Sequence, residues 1–241
     1  MKNLHNALQL KQLYQLKILG YSYTDAKLFS PDSHKVELPN SLKELKAQAQ
    51  KCHLCQLSKR RESVIFGEGS SRAEVMIIGD FPIKGSAEEM LRLMIEKVLG
   101  LSKEKVYITH LLKCHIPNWE SEALAPNKAR LKSSLPNSSL ESEASAPNKT
   151  KLHKEIQSCK IYLSKEIELI KPKLIITLGE LPYQHLTDST TPLKEIRGTV
   201  TTQEGFKLLP TYHPNFLLKN PSFKRAVFTD LKRAKEFISK R

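Results

Sequence analysis

Glu74-Val75-Met76-Ile77-Ile78-Gly79 and Lys173-Leu174-Ile175-Ile176-Thr177-Leu178-Gly179 decide the fold. Each is a short apolar run that ends in glycine, as a strand buried on both faces of a parallel sheet does. Between them Lys105-Val-Tyr-Ile-Thr109 is strand-like, and Phe206-Lys-Leu-Leu-Pro210 supplies a fourth run. Helical spacing separates the runs. Met90, Leu91, Met94, Ile95, Val98 and Leu99 repeat at three and four residues, and Gly100 fits a C-terminal cap. Ser86-Ala-Glu-Glu89 has the spacing of a capping box at the start of that helix. Ile156, Leu163, Ile167 and Ile170 mark one face of a longer helix stopped by Pro172, and a basic helix is expected over 222–239.

Strands alternating with helices imply an α/β fold in three layers, a mainly parallel four-stranded sheet flanked by helices. The working groups of such a sheet lie at the carboxyl ends of its strands. That rule brings Asp80, His110, Gly179 and His213 to one rim.

Outside this frame the chain is less regular. Leu8, Leu13 and Leu16 share a face, which predicts an amphipathic helix over 4–19 and a connector from Tyr21 to Asn40. Another helix is expected over 42–50, so residues 1–50 read as a helical extension and 51–241 as the main domain. Ser121-Glu-Ala-Leu-Ala-Pro-Asn-Lys-Ala-Arg-Leu131 returns as Ser142-Glu-Ala-Ser-Ala-Pro-Asn-Lys-Thr-Lys-Leu152, identical at 8 of 11 positions. With a Ser/Lys/Asn-rich stretch between the copies, 118–150 is expected to be a disordered, duplicated insertion.

Composition narrows the function. The 241 residues include 39 Lys plus Arg against 25 Asp plus Glu, a net charge of +14 that favours an anionic partner such as nucleic acid. Nine glycines and four cysteines exclude a collagen and a disulfide scaffold. No apolar stretch is long enough to cross a membrane, and the first residues lack a signal-peptide core, so a cytoplasmic location is expected. Cysteines there stay reduced. Cys52-His-Leu-Cys55 is a C-x-x-C pair, with Cys114 and Cys159 further on. Four cysteines with none spare match an all-thiolate zinc site or a four-cysteine iron–sulfur cluster, and a C-x-x-C alone does not choose between them. Cys114 and Cys159 also fit the bland reading of small core residues.

Five segments, taken in order, resemble the iron–sulfur (family 4) uracil-DNA glycosylases. They are Phe66-Gly-Glu-Gly69 with Glu74–Pro82, Val106-Tyr-Ile-Thr-His-Leu-Leu-Lys-Cys114, Glu155-Ile-Gln-Ser-Cys159, Ile170–Gly179, and Leu209-Pro-Thr-Tyr-His-Pro-Asn-Phe-Leu-Leu218. The likeness spans about 51–238, less the insertion. It implies a DNA-repair enzyme that flips uracil or a related damaged base from DNA and cleaves its N-glycosidic bond. A monomer in the bacterial cytoplasm, associated with the nucleoid, is expected. It implies that Cys52, Cys55, Cys114 and Cys159 hold a structural 4Fe–4S cluster, with zinc the alternative. His213 would hydrogen-bond the departing base, and Asp80 would position water or stabilise the sugar cation. Gly79, Phe81 and His110 would line the base pocket. Lys59, Arg60, Arg61, Lys219, Lys224 and Arg225 would meet phosphates.

The chain departs from the family at that pocket. His110 stands where the family has an asparagine that reads the uracil edge, and a neutral imidazole also offers one donor and one acceptor. Phe81 and Ile83 replace a small residue and a glycine. The family's Pro-Phe-Val-Gly stretch, whose phenylalanine stacks on the base, is missing, which leaves Phe81 as the stacking candidate. Two other functions stay open: a protein of this fold that binds or covalently traps damaged DNA without release, and a four-cysteine zinc protein.

Overall fold

The computed structural model describes residues 38–116, 146–203 and 205–239. The expected helix over 4–19, and the repeated segment as far as 145, lie outside them. From Pro39 onward the described residues form one unit. Its first helix, α1 (Leu42–Gln50), is capped by the Ser41 side chain and buries Leu45 and Ala49. The main domain therefore begins before residue 51, because this helix belongs to its core.

The sheet has six strands rather than four. Its order is β2 (Glu68–Gly69), β4 (Val106–His110), β3 (Val75–Gly79), β6 (Leu174–Leu178), β8 (Phe206–Thr211) and β7 (Thr201–Gln203). The central four are parallel, as expected, and an antiparallel strand is added at each edge. Two or three residues are too few to show a period, so the edges had no pattern to read. A separate two-stranded ribbon joins β1 (Ser63–Val64) to β5 (Cys114–His115).

Alternation along the strands sends side chains to two buried layers. Val75, Ile77, Val106, Leu174, Ile176 and Leu209 face a core closed by α2 (Ser86–Leu93), which continues as a π-helical turn over Met94–Leu99, and by α6 (Pro214–Lys219) and α7 (Lys224–Ser239). Met76, Ile78, Tyr107 and Thr109 turn the other way. There they meet α3 (Ala146–Ile170), whose Glu166 accepts from both Tyr107 and Thr109.

Two local expectations change. The capping box is absent: Gly85, at φ 63°, is the residue before α2, its carbonyl accepts from the Glu89 N–H, and no side chain caps the helix. Ser86 already lies inside the helix, so its hydroxyl is one position too late. And α3 takes in 146–150, the last part of the segment expected to be disordered, with Pro147 in the first turn where a missing N–H costs nothing. Gly100 caps the helix before it in the left-handed region, as expected.

Candidate functional site

The parallel register fixes the site. Gly79 is paired with His110, and Leu178 with Thr211, so the chain leaves β3, β4, β6 and β8 on one edge. Asp80 follows β3, His110 ends β4, Gly179 follows β6, and His213 is two residues past β8. Gly179 has φ 94°, and its N–H donates to the Thr211 carbonyl at 2.8 Å, so it turns into α4 (Glu180–Thr187) tight against the His213 strand.

His213 is the N-cap of α6. Its Nδ1 accepts from the Asn215 N–H at 3.1 Å, which assigns the proton of the neutral ring to Nε2. Nε2 lies 3.5 Å from Asp80 Oδ1, an oxygen that also accepts from the Phe81 N–H at 2.9 Å. A hydrogen-bond donor and a carboxylate therefore stand side by side at the rim.

His110 is 6% exposed, and among the described residues neither ring nitrogen has a hydrogen-bond partner. Burial first, and then the Lys113 charge, push its pKa down to about 3, so the ring is neutral. A buried polar group without partners is costly, and such a ring suits a ligand edge that supplies a donor and an acceptor. Gly79 leaves it room: a Cβ there would stand 3.1 Å from His110 Cδ2 and 3.5 Å from the Ile83 side chain. Phe81 is buried at 9% exposure, so the stacking candidate shows little of its ring.

All four cysteines line a single pocket, together with Ala49, Leu54, Ser58, Lys113, Ser158 and Tyr162. Burial raises the Cys55 and Cys114 thiols and pushes Cys159 to about 11, so these three thiols hold their protons until a cation displaces them. Among the described residues no three His, Cys, Asp or Glu side chains converge closely enough to hold one metal ion.

The basic candidates divide. Lys59, Arg60, Lys219, Lys224 and Arg225 are exposed. Arg61 turns inward: it donates to the carbonyls of Cys52 and Gln50, each at 2.8 Å, and reaches Cys114 Sγ at 3.8 Å. Its guanidinium braces the cysteine pocket.

The sequence profile of the Uracil DNA glycosylase superfamily matches residues 66–232. The chain belongs to that superfamily. A type-4 uracil-DNA glycosylase of Saccharolobus solfataricus is 33% identical over 210 residues, covering 80% of this chain and 84% of the relative. Type-4 enzymes of Sulfurisphaera tokodaii and Thermotoga maritima are each 27% identical, over 82% and 80% of this chain and 84% and 92% of their own lengths.

Within this glycosylase fold, two groups of buried residues carry no signal of their own in the sequence. Lys113 and Glu166 are 2% and 0% exposed and pair at 2.6 Å, with Lys113 also donating to the His110 carbonyl at 2.8 Å. The buried Asp230 on α7 accepts from Thr211 and Arg197. Each partner lies far along the chain from the other, and a lysine or a helical acid alone reads as a solvated residue.

Proposed function

We propose that the protein is a DNA glycosylase that excises uracil or a closely related damaged base from DNA. The observation that carries this reading is the meeting of Asp80, His110 and His213 at the carboxyl rim, with the His213 proton on Nε2 beside Asp80. A base inside the stack is out of reach, so the nucleotide is flipped into the pocket first. Cleavage of the N-glycosidic bond leaves negative charge on the base and positive charge on the sugar. The Nε2–H of His213 donates to the base oxygen where that negative charge develops, a contact worth most in a dry, preformed site. Asp80 faces the sugar side, where its carboxylate stabilises the cation or orients the attacking water. His110 meets the base edge, and Gly79 and Phe81 complete the wall. Lys59, Arg60, Lys219, Lys224 and Arg225 hold phosphates on both sides, and the enzyme acts as a monomer in the cytoplasm.

The donor set fits an iron–sulfur centre: four thiols around one pocket, braced by Arg61 and Lys113. Cys52, Cys55, Cys114 and Cys159 would hold a 4Fe–4S cluster, whose contribution is to tie the C-x-x-C segment to β5 and α3. Zinc is the alternative. Protein prepared without oxygen is expected to be brown, with iron and sulfide in equal amounts. A colourless, zinc-loaded protein contradicts the cluster.

The function is tested by single-turnover release of uracil from a labelled oligonucleotide. His213→Ala is expected to slow release by at least 10²-fold while DNA is still bound. Full activity in that variant contradicts the role of His213. A heat-stable protein–DNA band with no released base identifies covalent trapping instead.

A further inference from the structure

The end of β8 is gripped by a side-chain cluster from α7 and the 197–199 turn. Asp230, 1% exposed on α7, accepts from Thr211 Oγ1 at 2.7 Å through Oδ2 and from Arg197 Nη2 at 2.6 Å through Oδ1. The same Arg197 nitrogen donates to the Ala226 carbonyl at 2.7 Å, and the guanidinium carbon lies 5.4 Å from the centre of the Tyr212 ring. Gly198 N–H donates to the Pro210 carbonyl at 2.8 Å, and Arg233 donates to the Gly198 carbonyl at 3.0 Å. Pro210, Thr211 and Tyr212, the three residues that lead into His213, are thus each held by this cluster.

Gly198 shows how closely the cluster is fitted. It has φ 71°, and a Cβ there would stand 2.2 Å from Asp230 Oδ1. Only glycine lets the 197–199 turn, which follows the short helix α5 (Leu193–Ile196), pass over the carboxylate. A buried carboxylate–guanidinium pair adds little net stability, since losing water offsets much of the attraction. What the pair does supply is a fixed direction for the strand end.

We infer that Asp230, held by Arg197, is a positioning residue for His213, fixing the 210–212 segment so that the ring presents Nε2 towards Asp80 and the base. The inference rests on the reading of His213 as the group that bonds the departing base. Asp230 and Arg197 themselves touch no reacting atom.

Thr211→Val removes one hydroxyl–carboxylate bond and little else, and Asp230→Asn removes the charge. The expected result is a single-turnover excision rate about tenfold lower in Thr211→Val, with affinity for uracil DNA within about twofold of wild type, because a small misplacement costs rate rather than binding. Thr211→Ser, which keeps the hydroxyl, is expected to restore the rate. The Thr211→Val/Asp230→Asn double variant should be no slower than Asp230→Asn alone. Independently of turnover, nitrogen-15 NMR of the histidine rings should show the Nε2–H form of His213 in wild type and a shifted or mixed signal in Thr211→Val. If Asp230→Asn does not fold, Thr211→Val decides alone. Wild-type rates with an unchanged His213 signal overturn the inference, as does an activity loss no larger than the loss of folded protein. A wild-type protein that releases no base defeats the functional reading instead, and the NMR comparison still tests the positioning role.

Discussion

His110 carries the clearest consequence at the scale of single residues. The folded state holds its pKa near 3, against an ordinary value of 6.5. The unfolded chain therefore takes up a proton below pH 6.5 that the folded chain refuses. The stability linked to this ring is complete above pH 6.5 and is lost as the pH falls towards 3, with a slope approaching about 1.4 kcal/mol per pH unit. Denaturant melts between pH 7 and pH 5 should show a smaller loss in His110→Asn than in wild type. Equal losses contradict the buried neutral ring. The position of this residue was legible in sequence, because a strand register and a rim rule place it there. Its isolation was not, since that depends on which neighbours fail to reach it. Beside Lys59 and Arg60, Arg61 reads in sequence as a phosphate contact, and only the fold reveals that its guanidinium is bonded to the Cys52 and Gln50 carbonyls.

Among the elements, α3 connects the two sites. Cys159 lines the cysteine pocket, and two turns later Glu166 holds Lys113, Thr109 and Tyr107 beneath the end of β4. Lys113 belongs to both sides, lining the cysteine pocket and bonding the His110 carbonyl. Removing one partner leaves a buried charge alone, so Lys113→Met or Glu166→Gln should each cost about 3–5 kcal/mol. The double variant Lys113→Met/Glu166→Gln should cost less than the two single losses added. Chemical denaturation of the three proteins checks this, and strict additivity contradicts a buried, coupled pair. The long strands and helices were readable because apolar runs and helical spacing repeat over many residues. The edge strands β2 and β7 were not, being set by pairing with β4 and β8 rather than by their own pattern. The Gly85 turn is hidden in the sequence because a capping box is defined by spacing alone, and Gly85 enters α2 with a positive φ.

For the whole molecule, the +14 charge is a statement about a polyanion. Duplex DNA binding should weaken with salt at a slope of about −0.9 per phosphate neutralised. Replacing Lys219, Lys224 and Arg225 together by Ala should reduce that slope by about 3, and an unchanged slope removes them from the DNA surface. The central claim concerns chemistry, and an oligonucleotide with one uracil tests it most directly. After incubation with the purified protein and treatment with alkali, the strand is predicted to break at the uracil position and nowhere else. An unbroken strand, from protein that still binds DNA in a salt-sensitive way, would contradict the account.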